Sequence, residues 1–273
     1  MDVFGLRMEP WQGIFILSPV VTYYTSCIAF GIMDCMPSFE KYRVQPKFEE
    51  KRNKICWKDA LPWVILQHAM QIFAGIMFVQ FEDYSEDFDS WLAVVPKFVV
   101  AALVMDTYQY WIHRWMHINK WAFEHFHSWH HRLHCPYPIG ALYNHPLEGF
   151  VLDAGSGALS VAVAGLDLRA ASLFVSVSTF KTVCDHANYD LPWNPMNKLF
   201  TNNASYHDMH HQLRGFRFNF SQPYFTFWDD IMGTKKMPTR DDLVRCEKPK
   251  TAVKSVAKTE TASTKSDAAK KAE

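Results

Sequence analysis

The sequence predicts an all-α integral membrane protein with about four transmembrane helices and a helical, histidine-rich domain beside the bilayer. Long uncharged apolar runs recur through the first two thirds of the chain, and each is about as long as a bilayer is thick. Three histidine clusters also stand at helical spacing. The mean hydropathy of −0.15 hides the apolar runs because it averages them with a very polar C-terminal stretch.

The first predicted span covers residues 14–33, which contain no charged side chain. The residues before it lack the basic stretch of a cleavable signal peptide, so we expect this run to stay in the protein. The next segment, residues 40–58, carries seven lysines and arginines. A short loop this basic is expected on the cytoplasmic side.

The second predicted span covers residues 61–81, and the loop after it, residues 82–90, holds five acidic residues and no basic one. That loop is expected on the opposite, lumenal side. Residues 1–90 are therefore interpreted as two N-terminal transmembrane helices with a basic cytoplasmic loop. A third span, from Trp91 to about Ile112, returns the chain to the cytoplasm, although Lys97 and Asp106 lie inside it.

Residues 150–184 are apolar but are interrupted at residues 165–169. Each half has about 15 residues, slightly short for a straight span, so a thin hairpin or a re-entrant pair is predicted. Residues 91–246 are expected to form one domain with the third span, the histidines and this hairpin. Residues 247–273 are rich in Lys, Ala, Thr and Ser and are predicted to be a disordered tail.

Composition excludes several classes of protein. The 28 basic and 28 acidic residues balance, so no global field favours nucleic acid. The six cysteines show no C-x-x-C spacing, which argues against a disulfide framework and against a zinc ribbon.

The histidines carry the chemistry. Seven of the thirteen lie between His113 and His134, and the clusters read HRWMH, HSWHH and HDMHH. Residues at i and i+4, or at i, i+3 and i+4, share a helix face, so each cluster is expected to aim its rings at one point. Eight imidazoles exceed the roughly four ligands that one zinc ion takes. We therefore predict a cytoplasmic helical domain that binds two metals, and imidazole alone suits Fe, Zn, Cu or Ni.

Other polar residues are candidates around these clusters. Asp106, Tyr110, His113 and His117 are spaced 4, 3 and 4 residues apart, which places them on one helical stripe. Asp106 could accept a hydrogen bond from a metal-bound imidazole, or it could pair with Lys97 or an interfacial arginine. His145 stands beside a proline and could be a ligand or a structural histidine. His186, which follows Asp185 at the end of the hairpin, is favoured as a ligand.

The order HRWMH, HSWHH, NHPLEG, DHANYDLPW and HDMHH resembles the membrane fatty acid hydroxylase superfamily over about residues 91–233. The stretches around these boxes look most like sphingoid base (sphinganine) C-4 hydroxylases. The resemblance implies a non-haem di-iron centre, with no catalytic residues beyond the metal ligands. The implied ligands are His113, His117, His127, His130, His131, His207, His210 and His211, with His145 and His186 added from matching family positions; Asp106, Tyr110 and Asp185 are expected to support them. His125 and His134 fall outside the box spacing.

The resemblance also implies partners and a location. The substrate would be a long-chain sphingoid lipid, O₂ the oxidant, and the electrons would come from NADH through a reductase and cytochrome b5. The dilysine pattern at Lys270 and Lys271 points to the endoplasmic reticulum membrane. Rival enzymes are a sterol C-4 methyl oxidase, a sterol desaturase and an aldehyde decarbonylase. A metal transporter is disfavoured because the first two spans contain no charge.

Overall fold

Long helices carry the apolar runs of the chain. This computed structural model describes residues 2–3, 6–81 and 88–239. The predicted tail at residues 247–273, with Lys270 and Lys271, and most of the acidic loop at residues 82–90 lie outside this part. The α-helices are α1 Pro10–Asp34, α2 Trp57–Phe81, α3 Trp91–Ile118, α4 Lys120–Ala122, α5 Pro146–Gly149, α6 Ser156–Ala164, α7 Leu168–His186, α8 Pro195–Leu199, α9 Ala204–His211 and α10 Phe227–Ile231.

Shorter elements join these helices. The π-helical stretch Phe123–His127 follows α4, and a second π-helical stretch, Phe150–Gly155, joins α5 to α6. The 3-10 helices are Pro37–Tyr42, Lys47–Arg52, His130–Arg132 and Pro138–Leu142. At the N-terminus, β1 (Asp2–Val3) pairs antiparallel with β2 (Leu6–Arg7), with Asp2 opposite Arg7.

Four segments are long and apolar enough to cross a bilayer: α1, α2, α3 and the continuous stretch Pro146–Ala164. Large apolar side chains on these helices point outward; Ile28, Phe73 and Leu92 are 62%, 62% and 85% exposed. An apolar outer face of this extent is suited to lipid contact. The chain is a multi-pass membrane protein, and the predicted all-α membrane fold is confirmed.

The third span and the first histidine cluster form one helix, because α3 continues without a break to Ile118. Ser90 caps its first turn by accepting a hydrogen bond from the backbone N–H of Ala93. Lys97 lies near this end of α3, where its Nζ donates to Asp89 at 2.5 Å and to the carbonyl of Gly165 at 2.8 Å. Its charge is therefore paired without Asp106.

The chain turns at Gly165 between α6 and α7, inside the interruption noted at residues 165–169, and the hairpin or re-entrant pair stays a prediction. Gly165 has φ +61°, a left-handed conformation that glycine adopts without steric cost at the end of a helix. Asp167 then starts α7 by accepting a hydrogen bond from the backbone N–H of Ala170 at 2.9 Å. α6 packs against α3, and α7 packs along α1 and against α9, so the end of α7 lies beside the histidines of α9.

The basic loop between α1 and α2 packs on the chain just beyond His186. Arg43 has a buried side chain that pairs with Asp34 and Glu50 and donates to the hydroxyl of Tyr189. Asn188 has φ +60°, and its side-chain amide exchanges hydrogen bonds with the backbone of Gln45. This loop therefore fixes the turn that follows the last residue of α7.

Candidate metal centre

Nine histidines form two groups in which the ligand nitrogens lie within 4.8 Å of one another. We call them group A and group B. Group A contains His113, His117, His127, His131 and His210, and group B contains His130, His186, His207 and His211. Two separate groups with five and four imidazoles agree with the prediction of two metals.

Separate elements bring these rings together. The last turns of α3 supply His113 and His117, and the π-helical stretch with the 3-10 turn after it supplies the histidines of HSWHH. α7 ends on His186, and α9 carries the histidines of HDMHH. Asn203 caps α9 by accepting from the backbone N–H of Tyr206 at 3.0 Å, which sets where this short helix begins.

Each H-x-x-H-H box divides between the two groups, which corrects the expectation that a cluster aims its rings at one point. In HSWHH, His127 and His131 belong to group A while His130 belongs to group B. In HDMHH, His207 and His211 belong to group B while His210 belongs to group A. Positions i and i+4 differ by only about 40° around a helix, whereas adjacent residues differ by about 100°. The i, i+4 pairs therefore stay together and the middle histidine turns toward the other group.

Six of the nine rings are oriented by an acceptor at Nδ1, at distances between 2.6 and 3.2 Å. Five of these acceptors are backbone carbonyls and the sixth is a carboxylate. The pairs are His113 with Phe220, His127 with Glu148, His130 with Tyr143, His186 with Thr182, His210 with Phe218, and His211 with Leu133. When Nδ1–H donates to such an acceptor, the lone pair of a neutral ring is on Nε2. These contacts therefore set the tautomer that presents Nε2 to a metal.

The Nε2 atoms face one another at short range. His113 and His127 have their Nε2 atoms 3.0 Å apart, and the Nε2 atoms of His130 and His186 are 3.3 Å apart. Because the acceptors above hold the protons on Nδ1, neither neutral pair can form a hydrogen bond across this gap. Two ligands at right angles, each about 2.1 Å from one metal, lie about 3.0 Å apart. The spacing and the unpaired, buried Nε2 of His210 fit metal ions bound within the two groups.

Burial keeps these rings neutral. It lowers the pKa of His130 to about 4 and the pKa of His210 to about 3. Burial, and then the neighbouring His127, holds the pKa of His131 well below its usual range. A neutral imidazole is the form that binds a metal, so the site is ready for ligation near pH 7.

Glu148 is a supporting residue that the sequence reasoning missed. Its Oε1 accepts from Nδ1–H of His127 at 2.6 Å, and each of the two side chains is only 2% exposed. A carboxylate bound to the outer nitrogen of a ligand histidine fixes the ring and raises its basicity. Glu148 lies in the segment NHPLEG, in which only His145 was predicted to be a site residue. The sequence signal for Glu148 is that a carboxylate stands in the NHPLEG segment, directly before an apolar run.

The structure corrects the roles expected of the residues around the ligands. The Asp106 carboxylate accepts from the backbone N–H groups of Tyr224 at 3.2 Å and Phe225 at 2.5 Å, so it anchors a loop and binds no imidazole. Tyr110 lies one turn before His113, and its hydroxyl pairs with Thr234 at 3.1 Å. Asp106 and Tyr110 lie on one helical stripe of α3 as predicted. Their polar partners come from residues 224–234, which pack over this stripe.

Asp185 precedes His186 and is held by the ammonium of Lys181, whose Nζ lies 2.6 and 2.5 Å from its two carboxylate oxygens. Both side chains are buried, at the end of α7. The pair leaves no net charge beside group B, since each ion neutralises the other. Asp185 therefore lies beside group B, but its side-chain partner among the described residues is Lys181 and not a ligand histidine.

His145 lies outside both groups, which corrects its expected place among the ligands. Its Nδ1 accepts from the backbone N–H of Leu147 at 3.3 Å at the start of α5, and its ring packs on Phe126 and Trp129. Because Nδ1 accepts this hydrogen bond, the proton of the neutral ring lies on Nε2, so neither nitrogen offers a free lone pair to a metal. His125, whose Nδ1 donates to the carbonyl of Trp121, also lies outside the groups, as does His134.

Two cavities adjoin the histidines. The apolar cavity, about 150 Å³, lies between α1, α2, α3, α6 and α7. The histidine-side cavity, about 30 Å³, is lined by His127, His130, His186 and His207 among other residues. Four residues line both cavities, namely Gln109, Asp153, Thr182 and Pro223. An elongated ligand could therefore lie among the membrane helices with one end at the histidines.

Comparisons with known proteins agree with this geometry. A family model described as fatty acid hydroxylase matches residues 98–234. The chain is 44% identical over 234 residues to sphinganine C4-monooxygenase 2 of Arabidopsis thaliana, covering 83% of this chain and 88% of the relative. It is 38% identical over 257 residues to the sphingolipid C4-hydroxylase sur2 of Schizosaccharomyces pombe, covering 82% and 88%.

A relative named for a different activity is also similar. The very-long-chain aldehyde decarbonylase GL1-9 of Oryza sativa subsp. japonica is 40% identical over 242 residues, covering 83% of this chain and 92% of the relative. No solved structure matches the chain.

Proposed function

This chain belongs to the fatty acid hydroxylase family, and on that premise we propose that it is an O₂-dependent monooxygenase that hydroxylates sphinganine at C-4 to give phytosphingosine. The observation that carries the proposal is the junction between two buried imidazole groups and an apolar cavity among membrane helices. The relatives named as sphinganine and sphingolipid C4-hydroxylases support the choice of substrate.

Groups A and B would each hold one iron ion, through five and four imidazoles. When bound, the two ions would supply the redox chemistry for O₂-dependent hydroxylation of an unactivated methylene. Imidazole ligands suit iron, and neutral rings bind without adding negative charge. The two electrons would come from NADH through a reductase and cytochrome b5, since the sequence has no dinucleotide-binding glycine motif.

The protein's own residues hold and orient this centre. The backbone carbonyls and Glu148 keep protons on the outer Nδ1 atoms, so the inner nitrogens remain free to bind. Close packing around the rings excludes water; His113, His127 and His210 are almost completely buried. Dry, fixed ligands limit side reactions and leave substrate position to decide which C–H bond reacts.

The apolar cavity would bind the hydrocarbon tail. Phe15, Ile16 and Phe78 line it from α1 and α2, and Val175 lines it from α7. Three polar residues, Gln109, Asp153 and Thr182, line it where it meets the histidine-side cavity. A lipid whose polar head stops at this junction would bring a carbon near its head, and not one in mid-chain, to the centre.

The enzyme would lie in the endoplasmic reticulum membrane with both groups facing the cytoplasm. The basic segment at residues 40–58 supports this orientation. α1 and α2 leave and re-enter the bilayer on either side of that segment. Arg43 of the same segment contacts Tyr189, three residues beyond His186, so the basic loop and the end of α7 lie on one side.

Expression in a host that lacks phytosphingosine tests the activity. Wild-type chain should restore phytosphingosine from sphinganine, and the product should disappear when O₂ is withheld. A variant with His207→Ala should give none, since it removes a ring of group B. Absence of phytosphingosine from wild-type membranes that contain the iron-loaded protein would refute the substrate assignment.

A long-chain aldehyde decarbonylase is the second candidate, because the relative from Oryza sativa with that name is 40% identical over most of the chain. The same membranes should be supplied with a C18 aldehyde and analysed for the shortened alkane. Alkane without phytosphingosine would select this second function. Phytosphingosine without alkane would exclude it.

A further inference from the structure

Asp153 is the carboxylate at the junction of the two cavities that lacks a cationic partner among the described residues. Three carboxylates line the histidine-side cavity. Asp185 is neutralised by Lys181, and Glu148, which lines only the histidine-side cavity, accepts from the neutral ring of His127. The side chain of Asp153 accepts from the amide Nδ2 of Asn144 at 3.1 Å, a neutral partner.

The position of Asp153 makes an uncompensated carboxylate costly. It lies within the segment Pro146–Ala164, one of the four candidate membrane spans. An ionisable residue in a span is expensive to bury and usually marks a ligand path or binding site. Among the described residues that line either cavity, none is a lysine or an arginine. A cation arriving with the ligand would supply the missing charge.

Hydrogen-bond acceptors without partners surround the same point. Asn144 Oδ1 and Glu148 Oε2 are buried and have no hydrogen-bond partner among the described residues, and both residues line the histidine-side cavity beside Asp153. A buried acceptor left unpaired costs about 1–3 kcal/mol, so a donor is expected there when ligand binds. An ammonium group offers three N–H donors and no acceptor, whereas a secondary amide offers one donor.

His68 adds an imidazole to the lining of the apolar cavity. It lies on α2 and lines the apolar cavity that Asp153 also lines, it is 5% exposed, and neither of its ring nitrogens has a hydrogen-bond partner in the part of the chain that the structure describes. A neutral imidazole offers one donor and one acceptor, which is the complement of a hydroxyl group. The two adjoining cavities together thus offer a carboxylate, free acceptors and an imidazole to one elongated ligand.

We infer that Asp153 and Asn144 bind the ammonium group of a free long-chain amino alcohol, and that His68 binds one of its hydroxyl groups. The inference rests on the proposed function and goes further, because it assigns the residues that bind the free amine and discriminate against its N-acylated form. The tail would then occupy the apolar cavity, and the carbons next to the amine would lie at the histidine-side cavity. Asp153 is a specificity residue in this arrangement, since its charge matches only the unacylated amine.

The test compares sphinganine with N-acetylsphinganine in membranes carrying wild type or Asp153→Asn. Wild type should favour sphinganine at least tenfold in kcat/KM. The variant keeps the size of the side chain but loses its charge, so its kcat/KM for sphinganine should fall at least tenfold, mainly through KM. Asp153→Glu should recover part of the loss. Equal use of both lipids by wild type, or an unchanged KM in Asp153→Asn, would overturn the inference.

Asp190→Asn is the matched control. Asp190 also accepts from an asparagine amide, that of Asn197 at 3.0 Å, but it is exposed and lines neither cavity. Its kinetics should equal those of wild type. The iron content of both asparagine variants should also equal that of wild type, which separates loss of head-group binding from loss of folding.

A binding measurement keeps the inference separate from the proposed reaction. Octadecylamine should raise the unfolding temperature of purified wild type, whereas 1-octadecanol should raise it less, and Asp153→Asn should lose the difference. If wild type makes no phytosphingosine but shows this amine preference, the reaction is wrong and the amine site stands. If phytosphingosine is made and the two ligands act alike on wild type, the amine site is wrong and the reaction stands.

Discussion

Glu148 accepts a hydrogen bond from His127 at 2.6 Å, and each side chain is 2% exposed. It is the one carboxylate among the six acceptors that orient the rings of groups A and B; the other five are carbonyl groups of the main chain. Main-chain carbonyls cannot be removed by substitution. The contact between Glu148 and His127 is therefore the one at which the effect of such an acceptor on metal binding can be tested directly.

Glu148→Gln should lower iron affinity and turnover by about 10- to 100-fold, the usual effect of losing such a partner of a ligand histidine. The substitution retains the shape of the side chain and removes its charge. Iron content after dialysis against graded chelator measures the affinity. Glu124→Gln, at an exposed carboxylate near Lys120, is the control and should bind iron normally. Equal iron retention in both variants would contradict the supporting role of Glu148.

Removal of one ring from each group should abolish activity. His130→Ala opens group B and His210→Ala opens group A, in both cases without adding bulk. Iron per chain and hydroxylation should fall together, by at least tenfold in activity. His125→Ala is the matched control because this ring stacks on Trp121 outside both groups. Normal iron and activity in either ligand variant would remove that histidine from the centre.

The metal-free protein should lose stability as the pH falls from about 6.5 toward 4. Burial lowers the pKa of His130 to about 4, below the unfolded value of about 6.5, so the unfolded chain takes up protons that the folded chain excludes. The stabilising contribution is therefore present above pH 6.5 and is lost on acidification. Thermal unfolding of metal-free protein in detergent at pH 7.5 and pH 5.5 measures it. An unfolding temperature that rises on acidification would have the wrong sign.

The orientation of the basic loop can be read with a membrane-impermeant maleimide. Cys35 and Cys56 flank this loop and are exposed, whereas Cys27, Cys135 and Cys184 are buried. In sealed microsomes of a Cys246→Ser variant, the two exposed thiols should react without detergent if the loop is cytoplasmic. Cys35→Ser with Cys56→Ser should abolish labelling. Labelling that appears only after the membrane is opened would place the loop in the lumen.

Gly215→Ala should destabilise the fold near α9. A Cβ at residue 215 would overlap the carbonyl oxygen of Met209, which belongs to the helix that carries three ligand candidates. Steric insertion into a packed site costs about 1–3 kcal/mol, so lower expression and lower iron content are expected. Gly31→Ala is the control, because a Cβ there meets no atom within 4 Å. Similar unfolding temperatures for both variants would contradict the prediction, because they would show that α9 can shift to accommodate the added methyl group.

Much of the fold follows from local properties of the chain. Uncharged runs predict α1, α2 and α3 within a few residues, because a membrane span is set by length and apolar composition. Gly165 and Asp167 mark the turn between α6 and α7 by their own conformational and capping preferences. The i, i+4 histidine pairs are likewise local, and they remain paired in the structure.

The division of the boxes and the partners of the rings depend on contacts between distant segments. Whether His130 joins His127 or His186 depends on how the HSWHH segment meets α7, and its π-helical and 3-10 turns do not follow from spacing alone. Asp106 was expected to bind an imidazole on its own helix, yet its partners are main-chain groups more than a hundred residues away. Periodicity shows which face a residue occupies but not what packs on that face.

The location of the apolar cavity between bilayer-spanning helices has a consequence for kinetics. Its ligand partitions from the lipid phase, so the concentration that governs occupancy is the mole fraction of substrate in the membrane. Adding inert phospholipid at constant total substrate would lower the mole fraction of substrate in the membrane. The apparent KM, expressed as a concentration in the whole sample, would therefore rise. Rates from different vesicle preparations become comparable only when they are plotted against surface composition.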